Sequence, residues 1–333
     1  MENSQRRSPI RRVIAAVTYI TLIFFVPASL LPIFSAPLRA ATHAIQGNEN
    51  RPTQSGPPQE SADQLVKEVV QNEIAADNSP SLKHMFTSLK KTSKGTQTHI
   101  YVETKEAMAG MLVAVNGSPL TQQQMQTEDG HLQWLEKNPD QLQKKHANEK
   151  ADLERSVRIV KALPYAFNYQ YDGTVQGTPA LGAAGVELTK LKFSPNPAYQ
   201  PPTRELQVLG GMQGFLLIDP KVKRLAEIDA TLFKDVDFGW GLLGRLDKGG
   251  HFLVSQADVG DNSWEVTRMN LDITGKILLV KNLSMISDEV LSDFRRVPEN
   301  LTFAEGVQLL RAEQEKIAHV APNSAGSRTA QNQ

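Results

Sequence analysis

Four groups of residues in this chain have side chains that could do chemistry, and in each the spacing is wrong for it. Seven histidines stand at His43, His84, His99, His131, His146, His251 and His319. No two are four apart, the separation that places two imidazoles on one helical face for zinc. His131 and His146 fall in a helical stretch and read as solvent-facing. Asp258 with Asp261, and Asp235 with Asp237, bring carboxylates close in sequence. Two acids across a cleft can hydrolyse a glycoside, and clustered carboxylate oxygens can hold calcium. In turn-rich surroundings these acids read more simply as solvated loop residues. Residues 239–250 hold five glycines, but no helix opening on Lys-Ser or Lys-Thr follows, so a phosphate cradle has no context. Ser255, Ser263 and Ser284 lack the Gly-x-Ser-x-Gly elbow of a hydrolase nucleophile. The expectation is a non-enzymatic chain with no catalytic residue, no cofactor and no metal site. What remains for an enzyme is an envelope hydrolase of glycan or ester bonds working through Asp258 and Asp261.

The strongest signal lies at the N-terminus. Arg6, Arg7, Arg11 and Arg12 precede an apolar run from Val13 to Phe34 that contains no acid, and Ala36, Ala40 and Ala41 follow. A positive flank, an apolar core and a small-residue exit make up a secretory signal. The run is also long enough to span a bilayer as an uncleaved anchor. Pro27 and Pro32 break a helix and leave 13–26 as the core, which favours cleavage near Ala40. Either way the bulk of the chain is expected outside the cytosol, in the periplasm or another extracytoplasmic space. Membrane contact would come only through the uncleaved segment. Cysteine is absent, which excludes a lipobox, structural disulfides and cysteine–metal sites.

Residues 1–40 carry five arginines and one glutamate. Their removal lowers the totals of 36 basic and 36 acidic residues to 31 and 35, a net of −4. A weakly acidic surface without a basic block does not suit nucleic acid, whose binding rests on Lys and Arg neutralising phosphates. Residues 41–61 are rich in Gln, Asn, Pro and Gly and read as a disordered linker. Residues 319–333 read as a disordered tail. Residues 62–318 remain for a single domain.

Within that domain, 62–76 carries one apolar stripe at helical spacing, with Ser61 as cap. Strands are expected at 97–104 and 111–115. Thr121 and Gln124 fit a capping box, with Leu120 and Met125 as the staple around it. Asn138-Pro139 restarts a second helix, which Pro164 should stop. The charged stretch 143–155 reads as a solvated face, with a partner surface as the alternative. From Tyr165 onward the period changes to that of strands: 167–171 ending at the turn Asp172-Gly173, then 187–193, 206–209, 214–219, 223–233, 236–240, 250–256, 264–273 and 276–284. Thr274-Gly275 reads as a link between the last two. A final helix spans 302–318. No helix-length pattern interrupts the strands, so neighbours should pair antiparallel. The fold class is α+β, a curled antiparallel sheet of about nine or more strands forming an open half-barrel covered by helices. Twist accumulating over that many strands is what curls it.

Several short motifs run along this frame: Val102-Glu103-Thr104-Lys105, Asn116-Gly117-Ser118-Pro119-Leu120 and Phe193-Ser194-Pro195-Asn196-Pro197, then Gly211-Met212-Gln213-Gly214, Ile218-Asp219, Phe238-Gly239-Trp240-Gly241 and Asp293-Phe294-Arg295. In them the chain resembles the extracytoplasmic carrier superfamily that includes the LolA and LolB lipoprotein carriers. Within that superfamily it is similar to the uncharacterised outer-membrane-lipoprotein-sorting-like proteins of soil bacteria. The resemblance implies a half-barrel whose hollow binds a lipid or a lipoprotein acyl chain. Phe215, Leu217, Phe238, Trp240, Phe252 and Trp264 are the candidate lining, with ordinary core between sheet and helices as the plainer reading of the same residues. The function expected is a carrier or binding protein of the cell envelope. Its alternative is a structural or interaction module with a packed interior and no ligand.

Overall fold

The computed structural model describes residues 60–77, 82–239, 243–278 and 280–320. The expected signal or anchor, and nearly all of the linker and tail, lie outside them. Helix α1 (Ala62–Asp77) starts as expected, with the Ser61 hydroxyl accepting the Gln64 N–H at 3.2 Å. Strands β1 (Lys83–Thr92), β2 (Gly95–Val102), β3 (Ala109–Val115) and β4 (Ser118–Pro119) follow, then helices α2 (Gln122–Lys137) and α3 (Pro139–Ala166). Next come β5 (Phe167–Gln176), β6 (Glu187–Pro195), a 3-10 helix (Glu205–Gly211), β7 (Met212–Asp219) and β8 (Arg224–Leu232). The chain closes with β9 (Val236–Phe238), β10 (Gly244–Leu246), β11 (His251–Asp258), β12 (Trp264–Ile277), β13 (Lys281–Val297) and helix α4 (Phe303–Val320). Among the described residues no helix is long and apolar enough to cross a membrane.

All the strands join one open antiparallel sheet of 13, whose path runs β4-β3-β2-β1-β13-β12-β11-β8-β7-β6-β5, with the β9–β10 hairpin attached to β12. The expected α+β architecture, a large unclosed antiparallel sheet with helices over it, is what the chain forms. At Gly214 in β7 the Asp229 carbonyl of β8 comes so close that any side chain would strike the neighbouring backbone. Glycine there is a condition of that pairing.

The helices do not all lie on one face. Consecutive residues of a strand point to opposite sides, and near β1 both sides are apolar. Phe86 and Tyr101 join α1, α3 and the later strands in the largest core. Met85, Ile100 and Met111 form a second core with Leu132 and Leu135 of α2 and Val307 and Leu310 of α4. Thus α1 and α3 cover one face of the sheet, while α2 and α4 cover the reverse face at the β1–β3 end. A third small core, Leu188, Leu217, Ala226 and Trp264, lies against residues 175–186.

The helix starts reward their sequence signals unequally. At α2 both halves of the capping box form: Gln124 N–H donates to the Thr121 hydroxyl at 3.3 Å, and Thr121 N–H donates to the Gln124 side-chain oxygen Oε1 at 2.9 Å. Thr121→Ala should therefore cost about 1 kcal/mol, read as a lower urea midpoint at unchanged slope. Thr302 and Glu305 make the same exchange at the start of α4. Asn138 does not cap α3. Its amide donates to the Trp134 carbonyl at 2.6 Å and so closes α2, while Pro139 alone opens α3.

Other expectations need correction. Pro164 does not stop α3, which continues to Ala166, because within two residues of the end its missing N–H forfeits a single hydrogen bond. Asp172-Gly173 is not a turn: β5 runs through it as a bulge, with the register against β6 slipping between Tyr171 and Thr174. The stretch 206–209 is part of the 3-10 helix, which buries Leu206, Val208 and Leu209 together. Thr274-Gly275 lies inside β12, paired with Ser284 and Leu283 of β13. Strand β1 was not expected at all.

Candidate functional site

Helices α1 and α3 lie over the β5–β8 part of the sheet, and beneath α3 is an apolar space of ≈ 30 Å³. Ile159 and Leu163 of α3, Leu209 of the 3-10 helix, and Phe193, Leu216 and Phe252 of the sheet face it. Phe167, Tyr169 and Phe193 form an aromatic group along it, with ring centroids 4.6 Å apart for Phe167 and Phe193 and 6.3 Å for Tyr169 and Phe193. The Tyr169 hydroxyl donates to the Leu163 carbonyl at 2.8 Å, which leaves the lining without an unmet polar group from that ring. Burial raises the pKa of its phenol far above the ordinary value.

Of the five candidate lining residues that are described, Phe252 faces this space and the other four do not. Phe238 belongs to the same large core. Phe215, Leu217 and Trp264 belong to the third core instead, because in β7 Leu216 and Ile218 take the inward parity. Lys190 Nζ stands 4.6 Å over the Phe215 ring and the Arg224 guanidinium 5.4 Å over Trp264. Trp240 lies outside the described residues.

The paired acids have local partners. Arg245 reaches Asp237 at 2.8 Å and Asp235 at 3.5 Å, and Arg296 reaches Asp261 at 3.1 Å. Asp258 accepts the Gly260 N–H of its own turn at 2.9 Å. Ser255 donates to Glu227 at 2.6 Å; burial pushes that carboxyl's pKa up, and the hydroxyl pulls it back. His251 sits between Asp229 at 2.9 Å and Asn270 at 3.3 Å.

A polar cleft of ≈ 890 Å³ opens between α3 and the β2–β3 loop. Half of the charged stretch expected to be merely solvated lines it, including His146, Glu149, Lys150 and Asp152. Glu103 also faces this cleft. Behind it is a cluster that sequence spacing did not bring together: His84 of β1, Glu103 just past β2, and Glu265 of β12. They are 3, 6 and 0% exposed. His84 Nδ1 is 3.0 Å from a Glu265 oxygen and 3.9 Å from Glu103 Oε2. Glu103 is fixed by the sheet edge: its N–H donates to the His84 carbonyl at 3.0 Å, and its Oε2 accepts the His84 N–H at 2.8 Å.

Fold and site together define an open antiparallel-sheet protein with a closed apolar interior under two helices and a charged cleft beside it. No family model matches the chain, and no curated protein is significantly similar to it. Among solved structures, a DUF1329 family protein from Desulfovibrio piger is similar over 70% of this chain and 91% of that one, at 9% identity and a TM-score of 0.22. At that score the similarity carries no argument about function.

Proposed function

We propose that this chain is an exported, non-enzymatic binding protein or carrier for an apolar chain, a lipid or the acyl group of a lipidated protein. The observation that supports it is the apolar space under α3, where helix, 3-10 segment and sheet meet without a polar lining group. A ligand would enter by parting α1 and α3 from the β5–β8 surface. Burial yields about 0.8 kcal/mol per CH₂, hence about 12 kcal/mol gross for a sixteen-carbon chain, against which stands the cost of separating the helix–sheet contacts that fill all but ≈ 30 Å³ of the interior. The localisation rests on the segment from Arg6 to Ala41, and N-terminal sequencing of the mature protein should find a start near Ala41.

The second reading, a packed envelope module without ligand, is favoured by the size of the space. At ≈ 30 Å³ it has room for about one or two water molecules. One experiment separates the two. Protein purified from its own envelope is weighed by native mass spectrometry and then titrated with a fluorescent fatty acid. Co-purified lipid, or saturable binding displaced by palmitate, is the expected result. Lipid-free protein that binds no fatty acid at all would overturn the carrier reading and leave the packed module.

A further inference from the structure

We propose that His84, Glu103 and Glu265 form a binding site for one divalent transition-metal cation, of which zinc is the natural probe. Around a metal held at about 2.0–2.2 Å by nitrogen and oxygen ligands, neighbouring donor atoms stand roughly 3–4 Å apart. The separations of His84 Nδ1 from the two carboxylates, 3.0 and 3.9 Å, match that spacing, and all three donor atoms lie within 4.8 Å of one another. The imidazole is almost wholly buried, and among the described residues its Nδ1 makes no hydrogen bond even though a carboxylate oxygen is 3.0 Å away. That nitrogen is therefore aimed at the two carboxylates.

The ligand types narrow the ion. One imidazole with two carboxylates suits zinc and its neighbours in the first transition row, whereas magnesium and calcium prefer oxygen alone. The sheet supplies the rigidity, because the backbone bonds between His84 and Glu103 fix two of the three ligands before any ion arrives. Glu103 faces the cleft, which gives the ion its way in.

The test uses the full chain, stripped with a chelator and titrated with zinc by calorimetry. One equivalent should bind, and at 100 times Kd the melting temperature should rise by about 5–8 °C. His84→Gln and Glu265→Gln should each lose that equivalent, while the double variant His131→Gln/His146→Gln keeps it. Should the site variants fail to fold, cobalt in the His131→Gln/His146→Gln protein decides: visible bands at one equivalent support the site, and a colourless protein overturns it. Wild-type protein that takes up no stoichiometric zinc overturns it as well, as does zinc binding that survives both site substitutions.

Discussion

Replacing Arg224 with methionine should cost the fold about 3–5 kcal/mol, while replacing Arg224 and Glu73 together by methionine should cost far less or nothing. The pair joins α1 to β8: the Glu73 carboxylate accepts from Arg224 Nε at 2.9 Å and from the Leu225 N–H at 2.8 Å, and both side chains are buried. Removing one partner leaves the other's charge in a medium that cannot solvate it. Removing both takes away the desolvation penalty along with the attraction. Glu73 Oε2 and Arg224 Nη2 have no hydrogen-bond partner among the described residues, so the pair is only half compensated where it stands. Urea unfolding of the two single variants and the double variant measures the coupling. A double variant as unstable as the sum of the singles would show that the two side chains are not coupled and would overturn this account.

Phe238→Ala is the second large effect, about 3–5 kcal/mol. Phe238 is 1% exposed and among the largest wholly buried side chains, so its loss leaves a cavity that the surrounding strands cannot close. Phe215→Ala, on a partly buried ring beneath Lys190, should cost much less. Chemical denaturation of both variants checks the ranking. Equal effects would mean that Phe238 sits in a space already open, as a residue facing a vacant hollow would.

What could be read from the sequence was local. Thr121 and Gln124 sit three apart and cap each other, and β7 and β8 carry enough Leu, Ile and Ala in register to announce two strands. The face each residue takes was not readable: β7 alternates regularly, but both of its faces are apolar, and opposite Leu217 and Ile218 the ladder gains an extra residue, Ala226, in β8. Strand β1 was hidden for a related reason. Its His84 and Ser88 look like surface residues, yet Ser88 is buried by a 2.6 Å bond to Glu289, 201 positions away, and His84 by Glu103 and Glu265. The buried cluster has no period in sequence because two strands and the segment just past a third assemble it. The early helices were expected over a single hollow, and only the alternation of Met85 with Phe86 shows that α2 belongs to the reverse face.

The long pairing of β1 with β13 has a consequence for how the molecule is made. As the polypeptide leaves the ribosome, its first four strands can pair with one another, but the outer edge of β1 has no partner until residues 281–297 emerge, and closing so wide a loop is slow. Holdase chaperones therefore have a long interval in which to grip the nascent chain.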